Sequence, residues 1–224
     1  MPVRAVLFDV DGTLVDSVDA HARAWQETFA EFGQHIPFEQ VRGQIGKGGD
    51  QLMPALLPPD VLERDGKSME HRRGEIFRER HLPDLRAFPA AADLLRRCAE
   101  AGLKVAFASS AKPEELEELK RIIGVADGVT AAETSSGDAE RSKPHPDIFL
   151  AALERLPGVR AEETVVVGDS PYDAEAAGKA GIRAVGVLCG GFPEEALRRA
   201  GCVAIYRDPA DLLARFDGSP LAPR

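Results

Sequence analysis

The sequence predicts an α/β fold: a doubly wound parallel sheet with a helical segment inserted after its first strand. Three observations carry the prediction. Short apolar runs (VRAVLFDV, LKVAFASS, TVVVGDS, RAVGVL) recur along the chain. They are apolar throughout rather than alternating, which suits strands covered on both faces. In the second half, helical stretches of about 10–13 residues separate them, the length of a crossover helix in a right-handed βαβ unit. The block from 16 to 85 breaks this alternation, because it holds helical periodicity and no strand-like run.

Element by element, VRAVLFDV is the first strand. From Asp16 to Phe32 the apolar residues Val18, Ala22, Trp25, Phe29 and Phe32 recur at helical spacing, and Gly33 stands where a helix closes. Residues 38 to 82 read as helices broken by GKGGDQ and LLPPD. AAADLLRRCAEAG is a helix closed by Gly102, and LKVAFASS the next strand. PEELEELKRIIG is a helix with Pro113 and acidic residues in its first turn and Gly124 at its end. Then come the strand GVTAAE, the helix PDIFLAALERL, the strand TVVVGDS, the helix PYDAEAAGKAG and the strand RAVGVL. CVAIYR and the short helix PADLLARF finish the fold, and the tail DGSPLAPR is expected to fray.

The 224 residues, 44% hydrophobic and 29% charged, are enough for a large single core carrying an insertion. A formal net charge of −9 argues against a nucleic-acid partner. An anionic substrate then needs a local set of donors or a metal. No apolar run reaches the ~18 residues of a membrane span. Cys98, Cys189 and Cys202 are an odd number without CxxC spacing, so neither a disulfide framework nor a zinc site is expected. The strand-like start leaves no room for a signal peptide, and a cytoplasmic location is the expectation.

In an open parallel sheet, ligands bind at the carboxyl ends of the strands. The first strand ends in Asp9 and Asp11, the second in Ser109 and Ser110. Lys143 sits in the loop before PDIFLAALERL, and TVVVGDS ends in Asp169 with Asp173 one helical turn on. Four carboxylates, two hydroxyls and an ammonium would thus share one crevice. Carboxylates this close repel one another unless a cation or donors intervene. Clustered carboxylate oxygens are the hard ligands that Mg²⁺ takes, with water and a phosphate oxygen completing its octahedron. Hydroxyls and a lysine suit the other oxygens of a phosphoryl group. One aspartate could attack phosphorus and a second acid could serve the leaving alcohol and the attacking water.

DVDGTLVDS, VAFASS, SKPHPDIF and VVVGDSPYDAEAAGKAG, in that order, resemble the four motifs of the haloacid dehalogenase-like hydrolase superfamily. The resemblance runs through essentially the whole chain. It implies a Rossmann-like core of residues 1–15 and 86–224, and a helical cap domain of residues 16–85 inserted after strand one. It also implies a Mg²⁺-dependent phosphatase of a small phosphorylated metabolite, such as a sugar phosphate or phosphoglycolate. Asp9 would be the nucleophile, and Asp11 the general acid/base with its main-chain carbonyl on Mg²⁺. Ser109, its neighbour Ser110 and Lys143 would bind the phosphoryl group. Asp169 would ligate the metal, and Asp173 would support it or orient Lys143.

Commonplace roles are open to each residue taken singly. Asp9 or Asp11 fits a turn before Gly12, and Asp173 fits the third position of a capping box begun by Ser170. Ser109 fits a strand-end hydroxyl, and Lys143 a solvated loop. Their conjunction at one sheet edge favours the site. In the helical block Trp25 lies on the apolar stripe and reads as core. His21, in HARAW, and Lys47, in a glycine-rich loop, are the substrate candidates there. His71, Arg72, Arg73, Arg78 and Arg80 read as a wet helical face.

Rival activities leave different marks. HARAW also resembles hexose-phosphate mutases of the β-phosphoglucomutase type, but those resemble ED where this chain has Gly168-Asp169. A dehalogenase lacks an acid at the position of Asp11. A phosphonoacetaldehyde hydrolase needs a cap lysine for a Schiff base, and Lys47 is the candidate. A phospho-receiver domain is shorter and has no cap.

Overall fold

The computed structural model describes residues 2–126 and 128–222. Six strands form one sheet: β1 (Ala5–Phe8), β2 (Lys104–Ala108), β3 (Thr130–Thr134), β4 (Thr164–Gly168), β5 (Arg183–Val187) and β6 (Cys202–Tyr206). Their order is β3-β2-β1-β4-β5-β6, and every neighbouring pair is parallel. The chain moves from β1 to β2 on one side and to β4 on the other. The crevice of a doubly wound sheet opens at that switch point. Phe8 sits level with Phe107 and with Val167, so the residues that follow all three strands emerge side by side.

The period-two alternation of side chains sorts these strands between two cores. Val6, Phe8, Val105, Phe107, Val165 and Val167 point to one face. There they meet α5 (Ala91–Glu100), α6 (Pro113–Ile123) and α10 (Pro209–Ala214). Ala5, Leu7, Ala106, Ala108 and Val166 point to the other, against α7 (Asp147–Glu154) and α8 (Pro171–Lys179). Every strand residue of β1 and β4 is buried, which explains why these runs carry no polar alternation.

Between β1 and α5 the chain builds α1 (Val18–Glu31), α2 (Phe38–Arg42), α3 (Gly49–Leu56) and α4 (Pro59–Ile76). Val18, Trp25, Phe29, Val41, Leu52 and Met69 make an apolar cluster of their own. Ala24, Ile76 and Phe77 instead join the cluster on the sheet. Outgoing and returning chains are stitched together: Val15 bridges Ala87, Asp16 N–H donates to Arg86 O at 2.9 Å, and Phe88 N–H to Leu14 O at 2.9 Å.

Two expectations need correction. The stretch between β5 and β6 carries a helix, α9 (Glu194–Arg199), that the sequence reading did not assign; its single buried residue, Leu197, leaves too little apolar periodicity to see. The tail does not fray over its described part, since Leu221 is wholly buried in the first cluster. Residues 223 and 224 lie outside the described residues.

Phe107 fills the first face at zero exposure. Phe107→Ala is expected to lower unfolding stability by about 3–5 kcal/mol, read from urea denaturation midpoints.

Candidate active site

The end of β1 is fixed first by backbone. Asp9 N–H donates to Val167 O at 2.9 Å, and the chain turns at Gly12, whose φ is +83°. A side chain there would be strained, and its Cβ would lie 2.6 Å from Asp169 Oδ2. The next residue, Thr13, places its hydroxyl 3.1 Å from Asp9 Oδ2 and 3.2 Å from Asp169 Oδ1. It can donate to one of them at a time.

Lys143, in the loop before α7, is completely buried. Its Nζ donates to Asp9 Oδ1 at 2.5 Å and lies 2.7 Å from Asp173 Oδ1, an ion pair off the angle a hydrogen bond prefers. Burial opposes the ammonium, but Asp173 and Asp9 outweigh it and push its pKa up. Asp173 sits in the first turn of α8. Its Oδ2 accepts Ser170 N–H at 3.1 Å and the Ser170 hydroxyl at 2.6 Å, while Asp173 N–H donates back to Ser170 Oγ at 3.3 Å. The capping box and the lysine partnership therefore coexist.

Among the described residues Asp9, Asp169 and Asp173, all buried, place an oxygen of each within 4.8 Å of the others. Burial is the main cause pushing Asp9 up to about 7, with Asp173 and Asp11 adding and Lys143 opposing. Asp169 is raised well above the carboxylate range by burial, then by Asp9 and Asp173. Three carboxyls beside one ammonium leave an excess of negative charge. Hard oxygen donors at this spacing could hold a metal ion.

The Asp11 carboxylate points elsewhere. Its Oδ1 accepts the Ser17 hydroxyl at 2.7 Å and lies 2.9 Å from His21 Nε2, whose ring stacks on Phe77 at 4.1 Å. Burial would raise Asp11, yet the charge and hydrogen bond of His21, the Ser17 hydroxyl and Arg73 hold it below the usual range. A cavity of about 290 Å³ connects these groups, lined by Asp9, Asp11, His21, Trp25, Lys47, Arg73, Ser110, Lys112 and Glu115 among others. The loop between α2 and α3 covers it. Gly48 comes so near the loop before α7 that a Cβ would lie 2.1 Å from Ser142 Oγ, and Tyr172 Oη donates to Gly43 O at 2.6 Å.

Asp9, Asp169, Asp173 and Lys143 thus share one buried cluster, and Asp11 adjoins it. Ser109 is buried with its Oγ accepting Ala111 N–H at 3.0 Å, while Ser110 lines the cavity. Lys47 lines it too, but its Nζ donates to Gln44 Oε1 at 2.6 Å and stands over the Tyr172 ring. Burial pushes that ammonium's pKa down. Trp25 is core and cavity wall at once.

The wet-face reading fails at Arg73. His71 is 74% exposed in its side chain, but Arg73 only 11%, its guanidinium near the Trp25 and Phe77 rings. Met69 and Phe77 flank it four residues away on either side, and that spacing was the available signal. Thr13 and Glu115 were missed altogether. Each looked like ordinary turn or helix-start chemistry.

A family model for haloacid dehalogenase-like hydrolases matches residues 3–181. Phosphoglycolate phosphatase of Rhodospirillum rubrum is 30% identical over 219 residues, covering 93% of this chain and 89% of that one. Protein SUPPRESSOR OF QUENCHING 1, chloroplastic, of Arabidopsis thaliana is 33% identical over 188 residues, 83% of this chain but only 18% of that protein's length. A hydrolase from Pseudomonas syringae matches in structure with a TM-score of 0.89 at 28% identity, covering 96% of this chain and 98% of that one. Sheet order, strand-end residues and these matches agree, and the chain belongs to the haloacid dehalogenase-like hydrolases.

Proposed function

We propose that this chain is a Mg²⁺-dependent phosphatase that hydrolyses a small phosphomonoester through an aspartyl-phosphate on Asp9. The observation that carries the reading is the wholly buried Lys143 between Asp9 and Asp173, with Asp169 within 4.8 Å of both carboxylates. The name of the Rhodospirillum rubrum relative supports the reaction type.

Asp9 and Asp169 fit Mg²⁺ as direct ligands. Asp173 fits less directly, since one oxygen caps α8 and the other meets Lys143; it orients the lysine. The Asp11 side chain turns away to Ser17 and His21, leaving its main-chain carbonyl for the ion. When bound, the metal supplies charge neutralisation that lets Asp9 and a phosphate approach one another.

The chain's own groups do the rest. Asp9 Oδ attacks phosphorus and the ester oxygen leaves, Lys143 and Ser110 balancing charge on the phosphoryl oxygens. Asp11 gives the proton on Oδ2, the oxygen not taken by Ser17 and His21, to the leaving oxygen. Asp11, held as a carboxylate by its partners, then takes a proton from the water that cleaves the aspartyl-phosphate. Residues 16–85 act as a cap that closes over the site, and residues 1–15 and 86–224 as the core.

The HARAW segment, whose His21 lies 2.9 Å from Asp11, favours a second reading, transfer of the phosphoryl group to a sugar hydroxyl as in a hexose-phosphate mutase. Glucose 1-phosphate separates the two: free phosphate marks a phosphatase, the 6-phosphate a mutase.

Asp9→Asn is expected to lower phosphate release from p-nitrophenyl phosphate by more than about a thousandfold, measured by steady-state kinetics. Chelation should abolish turnover, and Mg²⁺ should restore it. Asp9 also links the metal to stability. Its pKa, raised from 3.8 to about 7, means that the folded state holds a proton the unfolded state has lost. Stability of the metal-free protein therefore falls as pH rises across that window. Thermal midpoints in EDTA should drop between about pH 4 and pH 7, and Mg²⁺ should recover more of the midpoint at the higher pH.

A further inference from the structure

Among the described residues three buried side-chain nitrogen or oxygen atoms lack a hydrogen-bond partner: Arg73 Nε, Glu115 Oε1 and Asp173 Oδ1. The third faces Lys143. The other two belong to one ion pair, Arg73 NH1 to Glu115 Oε2 at 3.4 Å, on the wall of the cavity that Asp9 and Asp11 share. Glu115 starts α6 on the sheet, and Arg73 comes from α4 across the cavity. Glu115 is 4% exposed, and its Oε1 stands 3.9 Å from His21 Nε2, beyond hydrogen-bonding distance. A carboxylate and a guanidinium removed from water with an unmet acceptor and an unmet donor are costly to keep. They persist where a ligand completes them.

The completing group must donate to Glu115 and accept from Arg73. An ammonium can only donate and is repelled by Arg73; a carboxylate can only accept and is repelled by Glu115. A neutral hydroxyl does both. We propose that Glu115 and Arg73 are specificity-determining residues that bind one or two hydroxyls on the leaving-group side of the substrate. This chain's substrates are then sugar or polyol phosphates rather than phosphorylated carboxylic acids. The inference rests on the phosphatase reading. The relative named phosphoglycolate phosphatase makes it a distinguishing one.

The test is kcat/KM of the Mg²⁺-loaded full chain on a series of sugar and polyol phosphates, on 2-phosphoglycolate, on O-phosphoethanolamine and on p-nitrophenyl phosphate. The best hydroxylated substrate should exceed 2-phosphoglycolate and O-phosphoethanolamine by about tenfold or more, and Glu115→Gln should reduce that preference by about tenfold, chiefly in KM. A deoxy analogue of the best substrate should lose most of its disadvantage in the variant. Preference for 2-phosphoglycolate or O-phosphoethanolamine overturns the proposal, and so does an equal fall on every substrate in Glu115→Gln. The wild-type preference decides alone if the variant does not fold. No turnover of any substrate, p-nitrophenyl phosphate included, overturns the phosphatase reading and this inference together.

Discussion

The ammonium of Lys143, at zero exposure, is held 2.5 Å from Asp9 and 2.7 Å from Asp173. Removing an ion from water costs several kcal/mol even after relaxation, and only close partners of opposite sign return it. Exposed pairs such as Arg198 with Glu194 are worth at most about 1 kcal/mol, so they do not organise this fold. The buried trio does. It ties the end of β1, the loop before α7 and the first turn of α8 into one object. It also leaves Asp169, close to Asp9 and Asp173, sharing the charge of that one ammonium with two other carboxyls. That imbalance is the physical case for a divalent ion, and with it for phosphoryl chemistry.

The sheet delivers these groups because β1 lies between β2 and β4 in register. Close approach then depends on residues without side chains. At Gly12 a Cβ would collide with Asp169, and at Gly190 it would lie 1.7 Å from Asp169 Oδ2. The carboxylate of Asp169 is thus boxed in by backbone on two sides, and burial there raises its pKa. On the open side the helices of the inserted block provide the wall. Chemistry sits on the sheet, and Trp25, His21 and Arg73 approach it from the block.

Strand runs and the strand-end aspartates were legible because period and position suffice to find them. Val6 and Leu7 alternate faces whether or not their partners are known, and Asp9 ends an apolar run. Lys143 was legible through its loop position at the sheet edge and its motif, although nothing local distinguishes a buried loop lysine from a solvated one. Arg73 and Glu115 were not. Their meaning lies in a contact between α4 and α6, forty-two positions apart in sequence, and a charge read singly defaults to solvent. The tail erred in the same direction: DGSPLAPR looks like terminal coil, yet Leu221 finds a place in the core. Tertiary pairing, not local propensity, fixed each of these.

The claim beneath all of this is that one divalent ion balances the carboxylates around Lys143. A crystal soaked in Mn²⁺, with its anomalous difference map, tests it most directly. The account predicts a single strong peak ligated by both Asp9 and Asp169, with Lys143 still buried beside Asp9. Peaks confined to surface carboxylates, or none between those two residues at saturating Mn²⁺, would contradict it.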